Sequence, residues 1–334
     1  MVKIESMLKL KKIVVIGGGT GSFVVLSGLK KYPVELSAIV AVTDDGGSTG
    51  RLRDEFGFLP AGDMRQCLAA LSGETEDFLH KLLLYRFDKG EKGLRGHNLG
   101  NLILTALEDL TGSESAGLQA ASEIFRLKGK VLPVSLKLVK LAARYKSGET
   151  IISEHLIEEN KLAKDDRIAK LYTVPFTSIN PAAKKAIVQA DLLVLGPGDL
   201  YGSTIANLVI KGMRSAIRDS KAKICYILNL MTLCSQTNYF TACDHLQVLE
   251  KYLGKKVDYV VVNTSQIPKD VLQFYAKKGE YSIVDDLGGD KRVVRKKLLS
   301  EHKVKKPSSD PLKRSLIRHS SGKLAKIIIK LLDI

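Results

Sequence analysis

The chain has 334 residues, 45% hydrophobic and 26% charged, enough for one large core or two modest ones. Its net charge is +16, yet aromatics are only 6% and Trp is absent, a poor supply of stacking groups for single-stranded nucleic acid. Cys67, Cys225, Cys234 and Cys243 form no CxxC pair, which excludes zinc-ribbon spacing, and no run reaches membrane-span length. The opening MVKIESMLKLKK lacks a secretory apolar segment, so a cytoplasmic protein with free thiols is expected.

Lys12 to Ser22 reads KIVVIGGGTGS. The β-branched run Ile13–Ile16 predicts a strand buried on both faces. Gly17, Gly18, Gly19, Thr20, Gly21 and Ser22 follow, and then apolar residues at helical spacing from Phe23 to Leu29. Strand, glycine turn and helix together aim backbone N–H groups and a helix N-terminus at an anion. The turn is not a Walker loop, because no Lys-Ser/Thr closes it. It also fails the dinucleotide fingerprint in both registers: Ser22 or Val24 stands where the last glycine belongs. A tight turn that binds nothing is the plain alternative.

Val34–Val42 reads as a second strand, running into Thr43, Asp44, Asp45, Gly46 and Gly47. Either acid at such a strand end can hold a ribose hydroxyl, ligate Mg²⁺ or act as a base, whereas Asp-Gly alone is a common solvated turn. A helix is expected from about Leu59-Pro60 to Leu71, and its Asp63 serves either as a cap or as a further oxygen ligand for Mg²⁺ beside Asp45. Phe78–Phe87 has helical spacing, and Asp88–Arg95 is a polar glycine loop. His97, Asn98 and Asn101 cluster at the start of an apolar helix over Leu102–Leu110, a candidate binding edge.

Lys130–Ser135 predicts a strand. Leu136–Tyr145 alternates and turns at Lys146–Glu149 into Thr150–Ile152, a hairpin signature. Glu154–Arg167 is charged and weakly periodic. Residues of about 131–174 therefore read as an insertion on the main sheet, a cap or a dimer surface. Pro181–Ala190 is a helix with proline at its start. Asp191–Leu195 is a buried strand ending in Gly196, Pro197, Gly198, Asp199, Ser203 and Thr204, with a helix expected over Ile205–Ile217. Lys223–Leu228 is a strand ending in Asn229 and Met231, Asp244–Leu253 a helix, and Val257–Val262 a strand ending in Asn263–Ser265.

Five predicted strands thus deliver Gly, Asp, Asn, Ser or Thr at their carboxyl ends, which share one edge in a parallel sheet. That regularity predicts a polar ligand cleft, and its two glycine turns suit two anionic groups such as a diphosphate. From 291 to 334 the chain is rich in Lys and Arg, with an apolar helical finish over Leu324–Leu332. The basic segment reads as a solvated surface beside a docked helix, since no nucleic-acid motif accompanies it.

The set IGGGTGS, VTDDGGSTGRLR, LPAGDMRQCLAAL, GHNLGNL and ADLLVLGPGDLYGST resembles the gluconeogenesis factor family (YvcK type), related to 2-phospho-L-lactate transferase (CofD), over nearly the whole chain in order. The resemblance implies an α/β fold: a Rossmann-like parallel sheet with helices on both faces and a small inserted α+β segment, as one domain over 1–334. It implies binding of UDP-sugars, notably UDP-N-acetylglucosamine, and a role in carbon metabolism, cell-wall supply and cell shape, without an established catalytic activity. From the related transferase it carries metal or phosphate contacts onto Asp44 or Asp45 and onto Asp63. The chain departs from the family pattern at Asp199 (usually Ser), at Gly202 (usually Thr) and at Leu233, Cys234, Ser235 and Gln236, where Gln-Pro-Gly-Glu is usual. A Mg²⁺-dependent transferase acting with GDP or another nucleotide is the alternative reading, and an NAD(P)-binding protein a third, since Asp44 lies near the spacing of a ribose-binding acid. A homo-oligomer is compatible with every reading.

Overall fold

The computed structural model describes residues 10–73, 78–89, 93–160, 166–301 and 315–332. The N-terminal leader, the core of the glycine loop at 90–92, residues 161–165 of the charged stretch and most of the basic run at 302–314 lie outside the described residues.

The first strand, β1 (Lys11–Gly17), is an interior strand of a seven-stranded parallel sheet. Ile13, Val14, Val15 and Ile16 are each at most 2% exposed, because both faces of the strand are covered. Each such side chain contributes about 1.5–3 kcal/mol of apolar burial. Helix α1 (Gly19–Leu29) leads to β2 (Val34–Val40), which pairs with β1 in register Ile13 to Leu36. Helices α2 (Gly47–Phe56), α3 (Ala61–Leu71), α4 (Phe78–Leu84), α5 (Leu99–Thr111) and α6 (Glu114–Ile124) follow. The chain then returns as β3 (Lys130–Pro133), which pairs with β2.

Two of these helices differ from expectation. Residues 47–51 continue into α2 although Gly47, Ser48, Thr49 and Gly50 are weak helix formers. Tertiary packing supplies what propensity withholds: Ser48, Thr49, Leu52 and Arg53 are buried. The helix expected to reach Phe87 stops at Leu84, because Arg86 forms an antiparallel bridge to Asn98.

The inserted segment is an antiparallel sheet of β4 (Lys140–Tyr145), β5 (Thr150–Ile152) and β6 (Ile168–Val174), in the order β5-β4-β6, with the short helix α7 (Glu154–Glu159) between β5 and β6. Its first expected strand belongs elsewhere, since residues 130–133 form the edge of the main sheet. After α8 (Pro181–Val188) the chain enters β7 (Leu192–Leu195), on the other side of β1. A π-helical turn, Leu200–Ile205, runs into α9 (Ala206–Leu208). Gly212, at φ +97°, separates this from α10 (Met213–Asp219), so the helix expected over Ile205–Ile217 is broken. Next come β8 (Lys223–Ile227), α11 (Ala242–Leu253), β9 (Tyr259–Asn263), α12 (Lys269–Ala276), the basic edge strand β10 (Val293–Lys296) and α13 (Ser321–Leu332).

The strand order is β10-β9-β8-β7-β1-β2-β3. The chain winds one way from β1 through β3 and the other way from β7 through β10. The topological switch point therefore lies between β1 and β7, where open α/β sheets bind ligands. Helices α1, α3 and α13 pack together in one layer, and α8, α10 and α11 in another. Outside the sheet edge, α6 buries Glu114 with both carboxyl oxygens lacking a partner. Burial and the neighbouring Glu108 push its carboxyl up to about 9. No helix of the described residues is long and apolar enough to cross a membrane.

Candidate functional site

A cleft of about 280 Å³ opens at the switch point, near the low end of small-molecule pockets. Four of the five predicted strand ends line it, through Gly18–Gly21, through Thr43, Asp44 and Gly46, through Pro197–Asp199 with Gly202 and Ser203, and through Asn229, Leu230 and Leu233. The fifth does not. Asn263 and Ser265 instead accept from Leu298 N and Leu299 N at 2.9 and 3.1 Å, turning the chain beyond β10.

The two glycine turns meet directly. A methyl group on Gly21 would run into the Pro197 carbonyl oxygen, so a side chain there would force the β1 and β7 turns apart. Asn207 Nδ2 ties the same region together by donating to Gly17 O at 3.1 Å and Ser203 O at 2.7 Å. Gly18 and Gly19 lie against the Asp63 carboxyl, which reaches over the turn from the first turn of α3. Thr43, at the end of β2, is 1% exposed, lines the cleft, and its hydroxyl has no partner.

The adjacent acids have separate tasks. Asp44 accepts from Gly46 N at 3.0 Å and sits against Gly62, and burial raises its pKa above the ordinary carboxyl range. Asp45 faces the insertion. It accepts from His155 N at 2.9 Å and from Ser153 Oγ at 3.1 Å, holding the start of α7. That contact brings Glu154, His155, Glu158 and Glu159 to the cleft wall. Burial, followed by Asp44, Glu158, Asp63 and Asp199, holds the Glu154 carboxyl well above its usual range. Burial and then Glu280 push Asp199 up to about 6.

The C-terminal third also contributes to the lining, with Glu280 among its residues. Tyr275 reaches it from α12, Lys278 from the turn that follows, and Ser315, Ile317, Arg318 and His319 from the return before α13. Tyr275 Oη accepts from Leu316 N at 2.8 Å, which joins the two segments. His319 is 5% exposed and its Nε2 has no partner. Burial lowers its pKa to about 4, leaving a neutral imidazole. These residues have no local motif, and Glu154–Glu159 sits in a stretch with weak periodicity, so none was marked in the sequence.

The remaining marked residues support the cleft from behind or lie beside it. His97 Nδ1 is 3.1 Å from Ser48 Oγ, and Asn98 caps α5 by accepting from Asn101 N at 3.3 Å. Asn101 Oδ1 accepts from Arg65 Nε at 2.8 Å. This network holds α2 and α3 together and does not line the cleft. Gly17, Ser22, Gly47, Gly196, Thr204 and Met231 do not line the cleft, whereas Gly198, Ser203 and Asn229 do. Among the described residues no three His, Cys, Asp or Glu side chains form a ready-made metal cage. Asp45 is engaged with the start of α7, whereas Asp63 lies over the glycine turn.

Comparisons with known proteins agree with this architecture. The family model for 2-phospho-L-lactate transferase CofD matches residues 13–302. The chain is 36% identical over 328 residues to the gluconeogenesis factor of Bacillus subtilis, covering 96% of this chain and 98% of that one. It is 41% identical over 283 residues to the gluconeogenesis factor of Halalkalibacterium halodurans, covering 84% and 86%. The crystal structure of a Bacillus halodurans protein superposes with a TM-score of 0.86 at 36% identity, over 96% of this chain and 100% of the other. The chain therefore belongs to the gluconeogenesis factor family, within the wider CofD domain family.

Proposed function

We propose that the protein is a nucleotide-sugar-binding regulatory protein, with UDP-N-acetylglucosamine or a close relative as ligand, acting in carbon metabolism, cell-wall supply and cell shape. The observation that carries the binding reading is the direct meeting of two glycine turns at the switch point, where backbone N–H groups of two strand ends can serve a diphosphate. The partnerless Thr43 hydroxyl and His319 Nε2 in the same cleft add polar atoms that a ligand would satisfy. Lys278 and Arg318 bring cationic groups to the same lining, which favours an anionic ligand such as a nucleotide.

The test is a melting-temperature panel of UDP-N-acetylglucosamine, UDP-glucose, GDP, NAD and NADP, each with and without Mg²⁺. A ligand at a hundred times its Kd adds about 2.7 kcal/mol. A response confined to UDP-sugars is expected, and a response only to NAD or NADP would overturn the reading.

Asp63 favours a second reading. Its carboxyl lies over the first glycine turn, where it can share a Mg²⁺ ion with ligand phosphates in the usual way of that metal. A Mg²⁺-dependent transferase of the CofD type would break the phosphoanhydride bond of a nucleoside-diphosphate-linked donor, join the outer phosphoryl group to an acceptor hydroxyl as a phosphodiester and release the nucleoside monophosphate, and Asp63→Asn would abolish that product. Absence of any product with GDP- or UDP-linked donors would leave the regulatory reading in place.

A further inference from the structure

The inserted sheet turns one face inward and the other outward. Leu141, Ala143, Leu171 and Thr173 belong to the inner face and are each at most 2% exposed. The alternate residues form the outer face. Across it, Arg144 stands opposite Lys170 on β6 and Thr150 on β5, Ala142 opposite Tyr172 and Ile152, and Lys140 opposite Val174. Lys140, Arg144 and Lys170 are exposed, and no residue of this face is acidic.

The charge on this face is unanswered. Like charges directly opposite on neighbouring strands are destabilising, and Arg144 and Lys170 are such a pair. Among the described residues, Lys140, Arg144 and Lys170 take part in no ion pair and no side-chain hydrogen bond. Their one recorded contact is with an aromatic ring, since Lys170 Nζ lies 5.8 Å from the centre of Tyr172. An anionic partner would supply the missing counter-charge. Apolar groups frame the cations. Ile152 and Val174 lie on the face and are exposed, and Leu138 and Phe176, two residues beyond the Lys140–Val174 pair, are 37% and 78% exposed.

These features select among anionic partners. Single-stranded nucleic acid stacks its bases on aromatic rings, and the face has one, Tyr172, which is half-buried. A second copy of the chain, docked through the same face, would set Arg144 and Lys170 against their own kind. A lipid surface answers both sets of groups at once. Its phosphates take the cations, and Leu138, Val174 and Phe176 enter the boundary between headgroups and acyl chains. We propose that the outer face of the β5-β4-β6 sheet docks on anionic lipid headgroups and seats the protein peripherally on a membrane. The docking surface does not depend on what the cleft binds.

The experiment is co-sedimentation of the full-length protein with vesicles of phosphatidylcholine, alone and mixed with phosphatidylglycerol. Binding is expected with the mixed vesicles only. Each cation near an anionic surface is worth about fivefold in affinity, so Lys140→Gln, Arg144→Gln and Lys170→Gln combined should weaken binding about a hundredfold. The same loss of net charge on α13, through Lys323→Gln, Lys326→Gln and Lys330→Gln, should weaken it about threefold at most. Phe176→Ser should weaken vesicle binding about tenfold. The variant of the sheet face should melt no lower than the parent, since a like-charge pair has gone. The proposal is overturned if the parent ignores the mixed vesicles, binds both kinds equally, or loses as much through the α13 variant as through the face variant. Tighter binding of a single-stranded RNA oligonucleotide or of polyglutamate than of vesicles, lost in the face variant, would also overturn it and assign the face to a soluble partner.

Discussion

The turn after β1 and the inserted helix α7 face the same cleft, and they are held there by different physics. Gly17–Ser22 is fixed by the covalent path of a strand buried on both faces and by contact with the β7 turn at Pro197. It offers mainly backbone. Helix α7 is six residues long and is fastened to the β2 turn by two hydrogen bonds to one carboxylate oxygen of Asp45. It offers side chains, and acidic ones. A cradle built from backbone suits the invariant part of a ligand, its phosphates. A wall built from side chains on an insertion suits the variable part.

The comparison can be broken from either side. The largest effect is expected at Gly21. Gly21→Ala puts a methyl group on the Pro197 carbonyl, and relief requires the two turns to move apart. Overpacking of this kind costs about 1–3 kcal/mol. Chemical denaturation should show that loss together with loss of nucleotide binding, whereas stability loss with intact binding would separate the turns from the ligand.

A smaller and more local effect is expected from Asp45→Ala. Removing a carboxylate that accepts two hydrogen bonds costs about 1–2 kcal/mol. Hydrogen exchange should rise over 153–159 while the strands of the main sheet keep their protection. Uniform loss of protection would mean that the insertion is not an independently fastened part.

A pH effect away from the cleft provides a control. The Glu114 carboxyl is raised to about 9 in the folded protein, above its ordinary 4.5. The folded state then holds a proton that the unfolded chain releases, so Glu114's contribution is fully present below about pH 4.5 and is lost as pH rises toward 9. The limiting slope is about 1.4 kcal/mol per pH unit. Glu114→Gln should flatten the decline in stability between pH 6 and 8 by a measurable part of this, and ligand should not change its effect. A ligand-dependent effect would connect α6 to the cleft.

Much of the fold was legible, for a clear reason. Ile13–Ile16, Leu192–Leu195 and Val260–Val262 are continuous apolar runs because their strands are covered on both faces, and such runs stand out without neighbours. Strand β10 was hidden because it is an edge strand carrying Arg295 and Lys296. Helix α2 was hidden because its first turn reads as a glycine loop, and β3 gave no sign of pairing with β2 rather than with the hairpin that follows. At the site, the glycine turns, Asp44, Ser203 and Asn229 were legible because strand ends mark themselves with turn chemistry, and Asp63 because it follows Pro-Ala-Gly at the start of a helix. Tyr275, Lys278 and His319 were not, since they reach the cleft only through the folding of the C-terminal third. The same holds for His97 and Asn101: their polar cluster was visible, but whether it faced a ligand or Ser48 and Arg65 depended on packing.

Calorimetric titration of UDP-N-acetylglucosamine into the parent protein, Gly21→Ala and Asp45→Ala tests the central claim most directly. The account predicts saturable binding to the parent, none to folded Gly21→Ala, and weakened binding to Asp45→Ala. Equal affinity for the parent and Gly21→Ala would contradict it, because the two glycine turns could then not be the cradle.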